Sequence, residues 1–146
     1  MSAVKVLREM GVEVKEVRPR RYVCEVPREK LHSIVSSLVR KLDGKVYASS
    51  IVGIDRPEEG VIELSYNLWV LGECLVSLRV KLPRDAPEIE TITDVLPGAY
   101  PHELEAFDLL GVKFIGNDKL REPAFKPEDM PPGTYPLRKD WKLEVR

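Results

Sequence analysis

The sequence contains no glutamine and only two asparagines, Asn67 and Asn117, among its 146 residues. Charged residues, by contrast, make up 32% of the chain. Few thermolabile amides combined with many residues able to form ion pairs are typical of proteins from hot environments. The composition therefore predicts a heat-stable protein from a thermophilic source.

Cysteine is also scarce. Cys24 and Cys74 lie fifty positions apart, with no CxxC pair and no histidine beside them. A structural zinc ion or an iron–sulfur cluster needs about four such ligands. We therefore expect two reduced thiols and neither a structural zinc ion nor an iron–sulfur cluster in this chain.

Long hydrophobic runs are missing as well. No apolar stretch approaches the ~20 residues that cross a bilayer, and the first residues lack the apolar region of a signal peptide. The net charge of −1 argues against a general nucleic-acid binder. The sequence thus predicts a protein on the cytoplasmic side of the cell, which reaches the membrane only as a peripheral part of a complex.

The first half of the chain has the periodicities of helices and strands. Residues 2–10 predict a short helix, and residues 12–18 and 21–26 predict two strands. The best helix follows Pro27, where apolar residues recur on one helical face. They are Leu31, Ile34, Val35, Leu38, Val39 and Leu42.

Three strands are expected next, at residues 45–54, 61–70 and 74–82. The last two alternate cleanly between apolar and polar residues, and Gly72 marks a hairpin turn between them. The order αββαβββ indicates a two-layer α+β domain with a mixed or antiparallel sheet. The apolar stripe of the main helix should cover the apolar face of the hairpin.

Proline dominates the last third of the sequence. A short helix fits between Pro101 and Gly111, but no periodicity follows Phe114. The sequence therefore predicts a domain over residues 1–115 and an extended C-terminal arm over residues 116–146. Four large apolar residues on this arm need a surface to cover, either on a partner, as we expect, or on the arm's own domain. They are Phe125, Tyr135, Leu137 and Trp141.

One group of residues on the short helix could carry chemistry. His102, Glu105 and Asp108 are spaced so that a metal or catalytic site is conceivable, but the HExxH pattern is absent. Acidic residues such as Glu103 also stabilise the first turn of a helix without any ligand. Three functions stay open on the residues alone: a non-catalytic domain with a docking arm, a free-standing domain that binds a small ligand or RNA, and a small enzyme.

Several motifs in the last third occur in a recognisable order. The sequence reads ELEAFDLLGVKF over residues 103–114, GNDKLR over residues 116–121 and YPLRKDW over residues 135–141. This order resembles the signature of the C-subunit family of the respiratory-chain NADH dehydrogenase (complex I), which includes the matching subunits of membrane-bound [NiFe] hydrogenases and related archaeal complexes. The chain departs from the family pattern at Leu104, Asn117 and Glu122, where the family has Arg, His and Arg. The departures favour the hydrogenase-type or sulfur-reducing relatives.

The resemblance implies a peripheral-arm subunit that holds no cofactor of its own. It would pack against the large subunit, which is related to the [NiFe] catalytic subunit and the quinone-site subunit, while other chains carry iron–sulfur clusters and the membrane part translocates ions. A set of partner-interface residues follows from the matching motifs and the aromatic residues of the arm. The set is Glu103, Glu105, Asp108, Arg121, Tyr135, Leu137, Arg138, Lys139, Asp140 and Trp141.

Overall fold

Three α-helices and seven strands form within residues 1–142, the part of the chain that the computed structural model describes. The helices are α1 (Ala3–Glu9), α2 (Arg28–Lys41) and α3 (Tyr100–Leu110). The strands are β1 (Lys15–Arg18), β2 (Arg21–Glu25), β3 (Val46–Arg56), β4 (Val61–Val70), β5 (Cys74–Pro83), β6 (Glu88–Glu90) and β7 (Lys113–Ile115).

Strands β1 to β5 form one mixed sheet in the order β1-β2-β5-β4-β3. β2 runs parallel to β5, and the other neighbouring strands are antiparallel. The predicted αββαβββ order and the α+β class are confirmed. The parallel pairing of β2 with β5 was not predicted, because the two strands are separated by about fifty residues and nothing local sets their register.

The hairpin of β4 and β5 has the predicted register and face. Ile62 lies opposite Leu82, and Tyr66 lies opposite Leu78. The apolar residues on the inner face of both strands are buried, as are Leu31, Ile34, Val35 and Leu38 of α2. All of them belong to one hydrophobic core. The prediction that the stripe of the main helix covers the hairpin is therefore confirmed.

We expect the substitution Leu38→Ala to lower the free energy of unfolding by about 2–5 kcal/mol, since it opens a cavity in the core. Leu38 is fully buried, whereas Arg40 on the same helix is exposed. Urea denaturation of Leu38→Ala beside the control Arg40→Ala measures the difference. A decrease in the free energy of unfolding below about 1 kcal/mol would show that this helix face is not part of the core.

Helix α3 lies on the inner face of the sheet beside the edge strand β3. Gly53 of β3 makes this approach possible, because a Cβ atom there would collide with the side chain of Leu110. Gly111 ends α3 in the left-handed conformation, with φ of 79°. Strand β7 follows and pairs in parallel with β6, as a separate two-stranded sheet that the sequence did not predict.

The C-terminal segment, which we define as residues 116–142, has neither helix nor strand but lies against the domain before it. The backbone N–H of Leu137 donates to the carbonyl of Leu109 at 3.1 Å. The backbone N–H of Lys139 donates to Oδ2 of Asp55 at 2.9 Å. This part of the predicted arm therefore contacts its own domain, one of the two surfaces that the sequence left open for it. Residues 143–146 of the predicted arm lie outside the described residues.

Candidate partner interface

Glu103, in the first turn of α3, is a fully buried carboxylate with three hydrogen bonds. Its Oε1 accepts from Thr91 Oγ1 at 2.6 Å and from Asn117 Nδ2 at 3.0 Å. Its Oε2 accepts from the backbone N–H of Ile92 at 2.9 Å. Asn117 stands where the family pattern has histidine, and its amide supplies a donor there. Glu103 thus joins α3 to the chain before it and to the start of the C-terminal segment.

The charge of Glu103 also acts on a core tyrosine. Tyr66 is fully buried, and its hydroxyl has no hydrogen-bond partner among the described residues. Burial raises the pKa of Tyr66 well above its usual value, and the negative charge of Glu103 raises it further. Tyr66 therefore stays neutral at physiological pH and packs as a core residue.

Asp108, further along α3, holds the middle of the C-terminal segment. It is fully buried, and its Oδ2 accepts the backbone N–H groups of Phe125 at 2.7 Å and Lys126 at 2.9 Å. Backbone donors in a segment without helix or strand need such acceptors when they are buried. The Asp108 carboxylate thus supplies this segment with the hydrogen-bond acceptors that the carbonyl groups of a neighbouring strand supply in a sheet.

Asp55, on the inner face of β3, holds the end of the segment. Arg84 forms a forked pair with it, with Nε 2.7 Å from Oδ1 and Nη2 3.0 Å from Oδ2. The same Arg84 Nη2 lies 3.2 Å from Oδ2 of Asp140. Hydrogen bonds from Arg84 hold the pKa of Asp55 below its usual value, against the opposing effect of burial, and the Lys139 N–H adds to the lowering.

Tyr135 and Arg138 cover the C-terminal end of α3. The Arg138 Nε donates to the carbonyl of Leu110 at 2.8 Å, where the helix dipole favours a cation. The Arg138 guanidinium also lies 5.1 Å from the centre of the Tyr135 ring. The ring packs so closely on Gly111 that a Cβ atom there would lie 2.7 Å from its Cε2. Arg138 is thus engaged within its own chain.

Two large apolar side chains stay exposed on the segment that these contacts fix. Phe125 is 54% exposed and Leu137 is 50% exposed. The backbone of Phe125 is held by Asp108, and the backbone of Leu137 is held by Leu109, so both flank the C-terminal half of α3. Anchored backbone with exposed apolar side chains is the arrangement expected of a docking surface.

The predicted interface residues fall into three groups. Glu105, Arg121, Leu137, Lys139 and Asp140 are exposed, and Tyr135, Arg138 and Trp141 are half-buried. Glu103 and Asp108 are a correction to the prediction. Both are completely buried inside the chain, so their side chains cannot reach a partner. Both oxygens of Glu103 accept hydrogen bonds, whereas Asp108 accepts them at Oδ2 and its Oδ1 lies 3.7 Å from the Lys126 ammonium.

Sequence reasoning missed three residues that build this surface: Asp55, Arg84 and Lys126. Asp55 did leave a signal, since a carboxylate on the inner face of a strand, two positions after Gly53, needs a buried partner. Arg84 and Lys126 lie in proline-containing stretches without periodicity, where no pattern predicts burial.

The hypothetical catalytic group on α3 does not assemble. Asp108 points into the protein, whereas Glu105 is exposed on the same helix. Within residues 1–142, no group of three or more His, Cys, Asp or Glu side chains is placed to hold a metal ion. None of the helices in this range combines the length and apolar character needed to cross a membrane.

Comparison with known proteins gives a consistent class. Residues 24–146 match the family model described as "Respiratory-chain NADH dehydrogenase, 30 Kd subunit". The C subunit of the NADH-quinone oxidoreductase of Moorella thermoacetica is 36% identical over 121 residues, which are 82% of this chain and 79% of that protein. The beta subunit of the membrane-bound hydrogenase of Pyrococcus furiosus is 36% identical over 141 residues, 92% of this chain and 78% of that protein.

Two further matches bear on the assembly. The C/D subunit of the NADH-quinone oxidoreductase of Phocaeicola vulgatus is 34% identical over 120 residues, which are 80% of this chain but only 22% of that longer protein. A chain in the structure of the membrane-bound sulfane sulfur reductase, an archaeal respiratory membrane complex, superimposes with a TM-score of 0.84 and 28% identity. The superposition covers 96% of this chain and 83% of that one.

The fold and the matches define a subunit of a respiratory oxidoreductase complex. The chain belongs to the respiratory-chain NADH dehydrogenase 30 kDa subunit family. The resemblance found in the motifs of its last third is thereby confirmed.

The Asp55 clamp, formed by Asp55 with Arg84 and the Lys139 N–H, predicts a specific dependence of stability on pH. Because the folded-state pKa of Asp55 is lowered, its ionised form stabilises the fold above the unfolded-state pKa of about 3.9, and this contribution is lost as pH falls through the lower folded-state pKa. We expect Asp55→Asn to cost about 1–3 kcal/mol at pH 7. The deficit should shrink on acidification below about pH 4.

Urea denaturation at pH 7 and below about pH 4 measures this deficit. Asp85→Asn serves as the control, because Asp85 is exposed close to the clamp in the chain. A deficit that stays the same across this pH range would contradict a role for the Asp55 charge.

Proposed function

We propose that this chain is a non-catalytic, peripheral-arm subunit of a membrane-bound, ion-translocating respiratory oxidoreductase. In this proposal it docks on the large subunit, the one related to the [NiFe] catalytic subunit and the quinone-site subunit. The iron–sulfur clusters, and [NiFe] where the complex has it, belong to other chains. In this proposal the chain lies on the cytoplasmic side of the cell membrane and reaches the membrane only through the complex.

One observation carries the docking role. The C-terminal segment is fixed by the buried carboxylates of Glu103, Asp108 and Asp55, yet it exposes Phe125 and Leu137. A protein that needed this segment only to cover its own core would direct these side chains inward. Exposed apolar anchors on fixed backbone suit a partner surface with apolar recesses.

The choice of the large subunit rests on the relatives. In one of them, C and D are named together as a single protein, of which the match covers 22%. Two subunits that occur in one polypeptide are expected to be neighbours when they occur as separate chains. We therefore propose residues 116–146 as the docking segment that meets the D-type subunit.

Purification of the native complex tests the proposal. We expect an affinity tag before Ser2 to retrieve, from solubilised membranes, a large subunit and iron–sulfur subunits in equal proportion to this chain. An unrelated tagged protein of the same cells is the control. Recovery of the chain alone, or with RNA or a small ligand, would contradict the proposal and favour the free-standing binding domain.

A further inference from the structure

Lys126, in the middle of the C-terminal segment, has a completely buried side chain. Lysine is almost never fully buried unless its charge is compensated. The ammonium pairs with the Glu122 carboxylate and lies 3.7 Å from Oδ1 of Asp108. It also donates to the carbonyl of Thr134 at 3.1 Å and lies 5.2 Å from the centre of the Tyr135 ring.

These contacts close residues 122–135 into a loop around the ammonium. Glu122 and Thr134 lie near the two ends of the loop, and Lys126 binds both. A second link joins the same ends, because Oε1 of Glu122 accepts the backbone N–H of Gly133 at 2.8 Å. Asp108 then fastens the closed loop to α3. A loop whose ends meet and whose interior is filled by its own side chains is an Ω-type loop.

The sequence of this loop lowers the entropy cost of ordering it. Pro123, Pro127, Pro131 and Pro132 restrict its unfolded conformations, so less entropy is lost when it folds. The buried ammonium beside two carboxylates adds strength to these contacts, because hydrogen bonds between charged groups are stronger than those between neutral groups. Removal of the ammonium alone, or of both carboxylates alone, would leave an uncompensated charge inside the protein.

We propose that Lys126 is a positioning residue that shapes residues 122–135 into a preformed recognition loop before the chain meets its partner. The loop holds Phe125 outward, next to the backbone that Asp108 fixes. The exposed Phe125 would fit an apolar recess on the partner protein. This role of the loop rests on the docking function proposed above. Preformed loops bind more tightly because they are already ordered before association.

Hydrogen–deuterium exchange of the full chain, purified without its partners, tests the ordering directly. We expect the amides of Phe125, Lys126 and Gly133 to exchange at least about tenfold more slowly than an unstructured chain. The substitution Lys126→Met should abolish that protection while the amides of β4 stay protected. Lys119→Met, at an exposed lysine of the same segment, is the matched control and should change nothing.

A second variant covers the case in which Lys126→Met also unfolds the core. Glu122→Gln removes one carboxylate from the ammonium without leaving a buried cation alone, and it should speed exchange in residues 122–135 by about tenfold. Unprotected amides in the unaltered chain, or protection that survives both substitutions, would overturn the proposal.

A binding measurement between this chain and the other subunits of the complex distinguishes failure of this inference from failure of the docking function. We expect Lys126→Met to weaken binding about tenfold or more, and Lys119→Met to leave it unchanged. A loop that is protected in a chain that binds no partner would refute docking alone. Full binding by a Lys126→Met chain with an unprotected loop would refute the positioning role alone.

Discussion

We expect a chain that lacks residues 117–146 to lose co-purification with the large subunit altogether. The deletion removes both exposed apolar anchors, Phe125 and Leu137, and the loop that presents one of them. Most of the binding energy of an interface resides in a few such anchors. Quantitative mass spectrometry of the tagged complex from membranes measures the loss. Full co-purification with retained activity of the complex would show that the segment does not dock.

A milder variant separates docking from folding. The double substitution Phe125→Glu with Leu137→Glu leaves the buried carboxylates and their contacts intact and should weaken binding by about tenfold or more. Val17 on strand β1 is also 50% exposed, so Val17→Glu is a matched control that should bind normally. Equal binding by the double variant and the control would argue that this surface has no partner.

The second large effect is expected at Glu103. The substitution Glu103→Leu removes the acceptor of three hydrogen bonds, from Thr91, Ile92 and Asn117. It leaves the buried N–H of Ile92 without a partner inside the protein. Each such loss costs about 1–3 kcal/mol, so we expect the free energy of unfolding to fall by about 3–5 kcal/mol. Urea denaturation of the purified chain measures the change.

Glu105 is the matched control for this substitution. It lies two residues further along the same helix but is exposed, and no side-chain hydrogen bond is found for it among the described residues. Glu105→Leu should alter stability by no more than about 0.5 kcal/mol. Similar losses for the two leucine variants would mean that Glu103 contributes no more than an exposed carboxylate of the same helix, and would contradict the role of its buried hydrogen bonds.

The elements that the sequence predicted well are those with strong local periodicity. The stripe from Leu31 to Leu42 has the helical period, and residues 61–70 and 74–82 alternate with the strand period. The observed bounds differ by few residues, as in β3, which spans Val46–Arg56 where residues 45–54 were expected. Such patterns show which face of a helix or strand is apolar, and the apolar face is the one that packs in the core.

The residues that the sequence predicted wrongly to be accessible lie where tertiary contacts, not the local pattern, determine burial. Helix α3 has apolar residues on several sides, so its sequence did not reveal that Glu103 and Asp108 face inward. Both carboxylates bind backbone N–H groups that belong to other parts of the chain, Ile92 in one case and Phe125 in the other. A motif can therefore identify the family correctly and still mislead about the role of its acidic residues.

The C-terminal segment shows the same limit for a stretch without periodicity. Proline content and the absence of a repeat predict an extended conformation. The segment lacks helix and strand over residues 116–142, but residues 122–135 close into a loop rather than extend. Its path is set by single contacts, such as Lys139 N–H to Asp55 across 84 positions of sequence. No composition or spacing rule predicts contacts of that kind.

Site-specific photo-crosslinking from Leu137 in the native complex is the most direct test of the docking account. A photoreactive amino acid at this position should form a covalent adduct with the large subunit on illumination. The same group at Lys41, exposed at the end of α2, should not reach that subunit. Adducts between Leu137 and the large subunit are the predicted result. Illumination that links Leu137 only to its own chain, or links Lys41 to the large subunit in its place, would contradict the account.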